Sequence, residues 1–163
     1  LSFHGIPEAN VRKGDPYARQ CERTTELLAA RLRLGTDAFT LAYQSRFGRA
    51  KWLMPYTAET LRDLAQRGVR SVDVMCPAFA TDCLETLEEM GMQNRDAFLA
   101  AGGTAYDCVP CLNSNEAHVD VLEDVVLQHA AGLQAGGELH HAAVDLAAGG
   151  LAALGALAAG FVD

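Results

Sequence analysis

Apolar residues in this chain recur in two rhythms. Short runs of strand length cover Leu1–Phe3, Ala38–Tyr43, Val69–Cys76 and Tyr106–Pro110, and segments with helical spacing lie between them. In Pro16–Arg33 the residues Cys21, Thr24, Thr25, Leu28 and Leu32 recur on one helical face, with Asp15 and Pro16 suited to a cap and a first turn. Thr57–Arg67 reads as a second helix, capped by Thr57 and ended by Gly68. Thr81–Met90 is a third, with Gly91 as its stop. Arg95–Ala101 is a shorter candidate and Glu116–Ala131 the last. Strands alternating with helices imply βα units around a parallel sheet, hence an α/β fold.

Beyond residue 131 the pattern changes. Gln134–Gly160 is mostly Ala, Gly and Leu, broken by His140, His141 and Asp145. Leu146–Val162 carries no charge and approaches the roughly 17 residues of a membrane span. Its residues are weakly hydrophobic and Gly149-Gly150 would weaken a helix, so residues 132–163 read as a poorly ordered or loosely docked tail. At the other end, Leu1-Ser2-Phe3-His4 reads as a strand already in progress, and an upstream portion of the protein is expected.

The 163 residues allow one domain with a real core, and half of them are hydrophobic, which argues against disorder. A formal net charge of −8 with no basic stripe argues against a nucleic-acid partner. The five cysteines (Cys21, Cys76, Cys83, Cys108, Cys111) are odd in number and irregular in spacing, as in a reduced cytoplasmic protein. Cys108 and Cys111 spell C-x-x-C. They sit in and just after a strand and enclose Pro110, rather than opening a helix, so they read as structural.

Candidate chemistry collects where an open α/β sheet binds ligands, beyond the carboxyl ends of its strands. There stand His4-Gly5-Ile6-Pro7, Gln44-Ser45-Arg46-Phe47-Gly48 followed by Trp52, Pro77-Ala78-Phe79-Ala80, and Cys111-Leu112-Asn113. In the third helix Asp82, Glu85 and Glu89 fall within about 60° of one another on an α-helical wheel, opposite Leu84, Leu87 and Gly91. Leucines packed on the sheet would aim this acidic stripe away from it, as either a solvated face or a group that holds protons and divalent cations. His4 is a structural histidine or a group able to accept a proton or bind ferrous iron.

Taken together these segments resemble ferrochelatase. Ser2-Phe3-His4-Gly5-Ile6-Pro7 resembles the family's histidine motif, followed by Gly14-Asp15-Pro16-Tyr17 and Gln20-Cys21. Gln44-Ser45-Arg46-Phe47-Gly48, Trp52-Leu53 and Pro55-Tyr56-Thr57 resemble its central signature. The run from Cys76 to Glu89 resembles its glutamate motif, and Cys111-Leu112-Asn113 its closing segment. The resemblance covers residues 1–131. It implies one of two Rossmann-like, doubly wound lobes with a porphyrin cleft between them, this chain being the C-terminal lobe. It implies insertion of ferrous iron into protoporphyrin IX to form protohaem. His4 and Glu85 would be the catalytic and metal-binding pair. Ser45, Arg46 and Trp52 would lie at the porphyrin, and Asp82 and Glu89 would form a relay.

Some members carry histidine where this chain has Cys83, which is therefore not taken as catalytic. No cysteine follows Cys111, so no iron–sulfur cluster is expected; ferrous iron is a substrate, and no tightly bound cofactor is expected. The expected partners are porphyrin, ferrous iron and the missing N-terminal lobe, with peripheral membrane contact left open. Two other readings stay open: a small cobalt-type chelatase acting as a dimer, and a non-catalytic porphyrin- or metal-binding lobe.

Overall fold

The computed structural model describes residues 1–134. Four short strands and five α-helices follow in order: β1 (Ser2–His4), α1 (Glu8–Arg12), α2 (Tyr17–Leu32), β2 (Ala42–Gln44), α3 (Thr57–Gln66) and β3 (Ser71–Val74). A π-helical segment (Glu85–Asn94) then runs straight into α4 (Arg95–Ala100), before β4 (Ala105–Cys108) and α5 (Glu116–Gln134). β1 pairs in parallel with β2, placing His4 opposite Gln44, and β3 pairs in parallel with β4. A hydrogen bond of 2.8 Å from Ser2 N–H to the Met75 carbonyl joins the two pairs. The strands thus form two two-stranded parallel sheets, and taken through that single bond they follow one another in the order 2-1-3-4, with the direction of winding reversing between β1 and β3.

Successive residues of a strand face opposite sides of a sheet. Phe3 and Tyr43 accordingly pack with Cys21 of α2 on one side. On the other side the Ser2 hydroxyl lies 2.8 Å from that of Thr57 in α3 and 3.8 Å from the sulfur of Met90 in the π-helical segment. Helices thus cover both faces, as expected of a doubly wound α/β fold. The second side holds the larger core, in which Leu61 and Ala65 of α3 meet Val74, Cys76, Met90 and Phe98. α2 buries Cys21, Thr25 and Ala29, one residue per turn, while Leu32 is exposed.

Several elements differ from the expectations. The run expected as one strand from Ala38 begins with a 3₁₀ turn (Thr36–Ala38), and pairing starts only at Ala42. Thr57 does not cap α3: Tyr56 holds that position, and the Thr57 hydroxyl is turned inward to Ser2. Gly68 does end α3, with φ at +95°.

The largest departure is the third helix, which Gly91 does not stop. Its turns are wide, and side chains supply additional donors to its carbonyls. Gln44 Nε2 reaches that of Glu85 at 3.0 Å, Asn94 Nδ2 that of Glu89 at 2.8 Å, and the Tyr106 hydroxyl that of Met90 at 2.8 Å. Inserted donors of this kind sustain π turns within a helix. The wider period buries Thr86, Met90 and Asn94 and leaves Leu84 and Leu87 exposed, contrary to the leucine-inward packing read from an α-helical wheel.

The start of this segment is held by Asp82. Its carboxylate accepts hydrogen bonds from Asn113 Nδ2 (2.7 Å), Cys111 N–H (3.2 Å) and the Thr86 hydroxyl (3.1 Å). Its own N–H donates to Asn113 Oδ1 at 2.8 Å. The closing segment expected at the cleft is thereby tied to the helix start. Hydrogen bonds from Asn113 first, then from Cys111 and Thr86, hold the Asp82 carboxyl below its ordinary range.

The chain divides into two units at Asn113–Ser114, α5 opening the second. Most of the 132–163 tail, including the uncharged run from Leu146, lies outside the described residues. Among the described residues no helix is long and apolar enough to cross a membrane.

Two predictions follow from this packing. A Cβ on Gly103 would stand 2.1 Å from Cε1 of Phe98, whose ring is 0% exposed and has no room to retreat. Gly103→Ala is expected to cost about 1–3 kcal/mol, read as a lower urea midpoint with unchanged m. Because the folded-state pKa of Asp82 is depressed, its contribution is present above the unfolded value of about 3.9 and lost as pH falls through the folded value. The difference in urea midpoint between the unsubstituted protein and Asp82→Asn should therefore be largest near neutrality and shrink below about pH 4; a constant difference would refute the assignment.

Candidate functional site

His4 stands at the carboxyl end of β1, beside the point where the winding reverses, and there an open sheet forms its ligand crevice. Its Nδ1 lies 2.7 Å from the Gly5 carbonyl. A carbonyl only accepts, so Nδ1 carries the proton, and in the neutral ring Nε2 keeps its lone pair. The Tyr17 hydroxyl donates to the His4 carbonyl at 2.9 Å, and the imidazole sits between Trp52 and Phe79, with centroids 6.2 and 6.3 Å away. Trp52 comes this close because residue 5 is glycine: a Cβ there would lie 3.0 Å from the Gln44 carbonyl and 3.1 Å from Trp52 Cε3. Bonds from Leu53 N–H to the Ile6 carbonyl and from Glu8 N–H to the Lys51 carbonyl fix the Trp52 segment against the chain following His4.

The loop after β2 brings the next residues. Ser45 has φ of +63°, a left-handed conformation uncommon for a residue with a side chain. It is held there by Glu89, whose carboxylate accepts from Ser45 N–H at 2.7 Å and from its hydroxyl at 2.5 Å. Past this turn the Arg46 guanidinium lies 4.7 Å from the centre of the Tyr56 ring, and Phe47 is 82% exposed.

The π-helical segment forms the third side. Glu85 is its first residue. A hydrogen bond from the Cys83 thiol, then one from its own backbone N–H, hold its carboxyl below the ordinary range; a protonated His4 would act in the same direction. Glu85 is thus an anion at neutral pH. One wide turn on, Gln93 donates to Glu88 at 3.0 Å across a spacing of five residues.

His4, Ser45, Arg46, Phe47, Trp52, Leu84, Glu85, Glu88, Glu89 and Gln93 line one pocket of about 550 Å³. All of the site residues expected from the sequence are brought to it except Asp82, which is engaged with Asn113, Cys111 and Thr86. Among the described residues no three His, Cys, Asp or Glu side chains are grouped to hold a metal ion. His4 and Glu85 therefore present a nitrogen and a carboxylate without a preformed cage. Leu84, Glu88 and Gln93 are additions to the expected set: a 3.6-residue wheel places Leu84 about 100° from Glu85, Glu88 stands within the glutamate motif without a role of its own, and Gln93 lies beyond the expected stop at Gly91. Phe79 belongs to the Cys76–Glu89 motif, but nothing in the sequence points it at His4.

The ferrochelatase family model matches residues 1–130. The chain is 50% identical over 131 residues to the ferrochelatase of Photobacterium profundum, covering 80% of this chain and 41% of that protein. It is 54% identical over 122 residues to that of Methylococcus capsulatus (75% and 38%) and 51% identical over 125 residues to that of Aliivibrio fischeri (77% and 39%). The chain spans about two fifths of the length of these curated relatives. With a match over residues 1–130 and the histidine, central and glutamate motifs gathered at one pocket, the chain belongs to the ferrochelatase family.

Proposed function

We propose that this chain carries the metal- and proton-handling side of a ferrochelatase, which inserts ferrous iron into protoporphyrin IX to form protohaem. The observation that carries this reading is the convergence of His4 and Glu85 on one pocket with an apolar rim, where Phe47 and Leu84 are 82% and 67% exposed beside Trp52. A flat apolar macrocycle covers such a rim, and Arg46 is the cation available there to a porphyrin carboxylate.

Entry of a divalent ion into the ring displaces two pyrrole protons, so a base must stand beside the macrocycle. In the neutral ring His4 Nε2 is the acceptor, its orientation set by the Nδ1–H bond to the Gly5 carbonyl. Glu85, an anion at neutral pH, supplies a hard oxygen for ferrous iron and a second proton acceptor. Of the two carboxylates read as a relay, Glu89 lines the pocket and Asp82 does not. We assign the onward path to Glu89 and a framing role to Asp82. The other wall of the cleft is assigned to a lobe outside this chain, consistent with its two-fifths coverage of the relatives, and the protein to the cytoplasm. Without that lobe the chain would bind porphyrin or metal weakly and turn over nothing.

Anaerobic insertion of ferrous iron into protoporphyrin, followed by absorbance, tests the assignment in the full-length protein. His4→Ala and Glu85→Gln should each lower kcat by about 100-fold or more. Turnover untouched by both substitutions would remove these residues from the chemistry, and insertion of cobalt but not iron would favour the small-chelatase reading. The isolated chain is expected to be inactive.

A further inference from the structure

We infer that Gln44 is a positioning residue that holds His4 and Glu85 in fixed relation to one another. The catalytic consequence rests on the function proposed above; the structural tie does not. Gln44 is 3% exposed and does not line the pocket. Its backbone stands opposite His4 in the β1–β2 register, and its carbonyl accepts the N–H of Gly5, the next residue, at 2.8 Å. Its side chain turns the other way along the chain, donating from Nε2 to the Glu85 carbonyl at 3.0 Å. One residue therefore grips the backbone at both members of the pair.

The orientation of the carboxamide is dictated by its neighbours. Oε1 accepts from the Ser2 hydroxyl at 2.7 Å and from the Cys76 thiol at 3.4 Å, while the Glu85 carbonyl can take only a donor. Packing alone would be met here by an apolar residue of the same length. A buried amide with both polar atoms partnered adds direction: it selects one placement of the first π turn among those the core volume would allow. The Glu85 side chain leaves the backbone at that turn, so a shift of the turn moves the carboxylate relative to His4 Nε2. Misplacement by about 1 Å can lower turnover about 100-fold without any loss of binding contacts.

The test uses the full-length protein with Gln44→Met, which keeps length and removes both polar atoms, and Gln44→Glu, which keeps the acceptor and loses the donor. Steady-state iron insertion is measured together with hydrogen exchange of the amides across Glu85–Asn94. The expected result is a fall in kcat of about 10- to 100-fold, with the KM for protoporphyrin within twofold and faster exchange in the π-helical segment. A folded variant with kcat within twofold of the unsubstituted protein overturns the proposal, as does unchanged exchange. Loss of fold in both variants also overturns it, by making Gln44 a stability residue. An unsubstituted protein that inserts no iron sinks the proposed function instead, and the exchange comparison then decides the tie on its own.

Discussion

The hydrogen bond from Ser2 N–H to the Met75 carbonyl sets β1 beside β3, and the arrangement of the site depends on that junction. It places the point where the winding reverses at the carboxyl end of β1, so His4 emerges next to the chain that leaves β3. The pleat does the rest. Ser2, His4, Ala42 and Gln44 share one face, and Phe3 and Tyr43 the other. The face of Ser2 is the one covered by α3 and the π-helical segment. A shift of one residue in the β1–β2 register would put His4 against α2 and leave the pocket without its nitrogen ligand.

That face is unusually polar for a core. Ser2, Gln44, Thr57 and Thr86 are buried there with Asn94 and Met90. Each such hydrogen bond is worth about 1 kcal/mol net, but a partner left unsatisfied costs about 1–3 kcal/mol. The network therefore adds little to stability and much to uniqueness: few alternative placements of the wide helix keep this many donors and acceptors paired, Asn94 Oδ1 being the buried atom of the group that has no partner among the described residues. The same economy appears at the surface end of the helix. Glu89 serves Ser45 in its left-handed turn while lining the pocket, and Asp82 closes the loop after β4 onto the helix start. The acidic residues of this element divide between frame and pocket.

Much of this was legible in the linear pattern. The extents of α2, α3 and α4, the order of the four strands and of the helices other than the short α1, and the gathering of candidate residues at strand ends all follow from period and punctuation. Gly68, for example, ends α3 because glycine takes a positive φ freely. His4, Ser45, Arg46 and Trp52 stand in or after strands whose parallel order aims their carboxyl ends at one edge. Glu85 and Glu89 share a stripe on the helical wheel, and the resemblance to the family sets these six apart from their neighbours. Thr57 does not act as the cap that its position suggests because its hydroxyl is engaged with Ser2, distant in sequence. Leu84 and Leu87 are exposed, where an α-helical wheel turns them inward, because this segment does not keep the α-helical period.

The sequence by itself determined the α/β alternation, the family and part of the candidate site, since these rest on local periodicity and on motifs that stand in order. Only the tertiary structure decided that the acidic helix is π-helical, that Thr86, Met90 and Asn94 face inward, and that Gln44 links the two proposed catalytic residues. The reason is physical. A π turn depends on donors brought to its carbonyls, and two of these, Gln44 and Tyr106, arrive from other strands. No window of neighbouring residues contains that information.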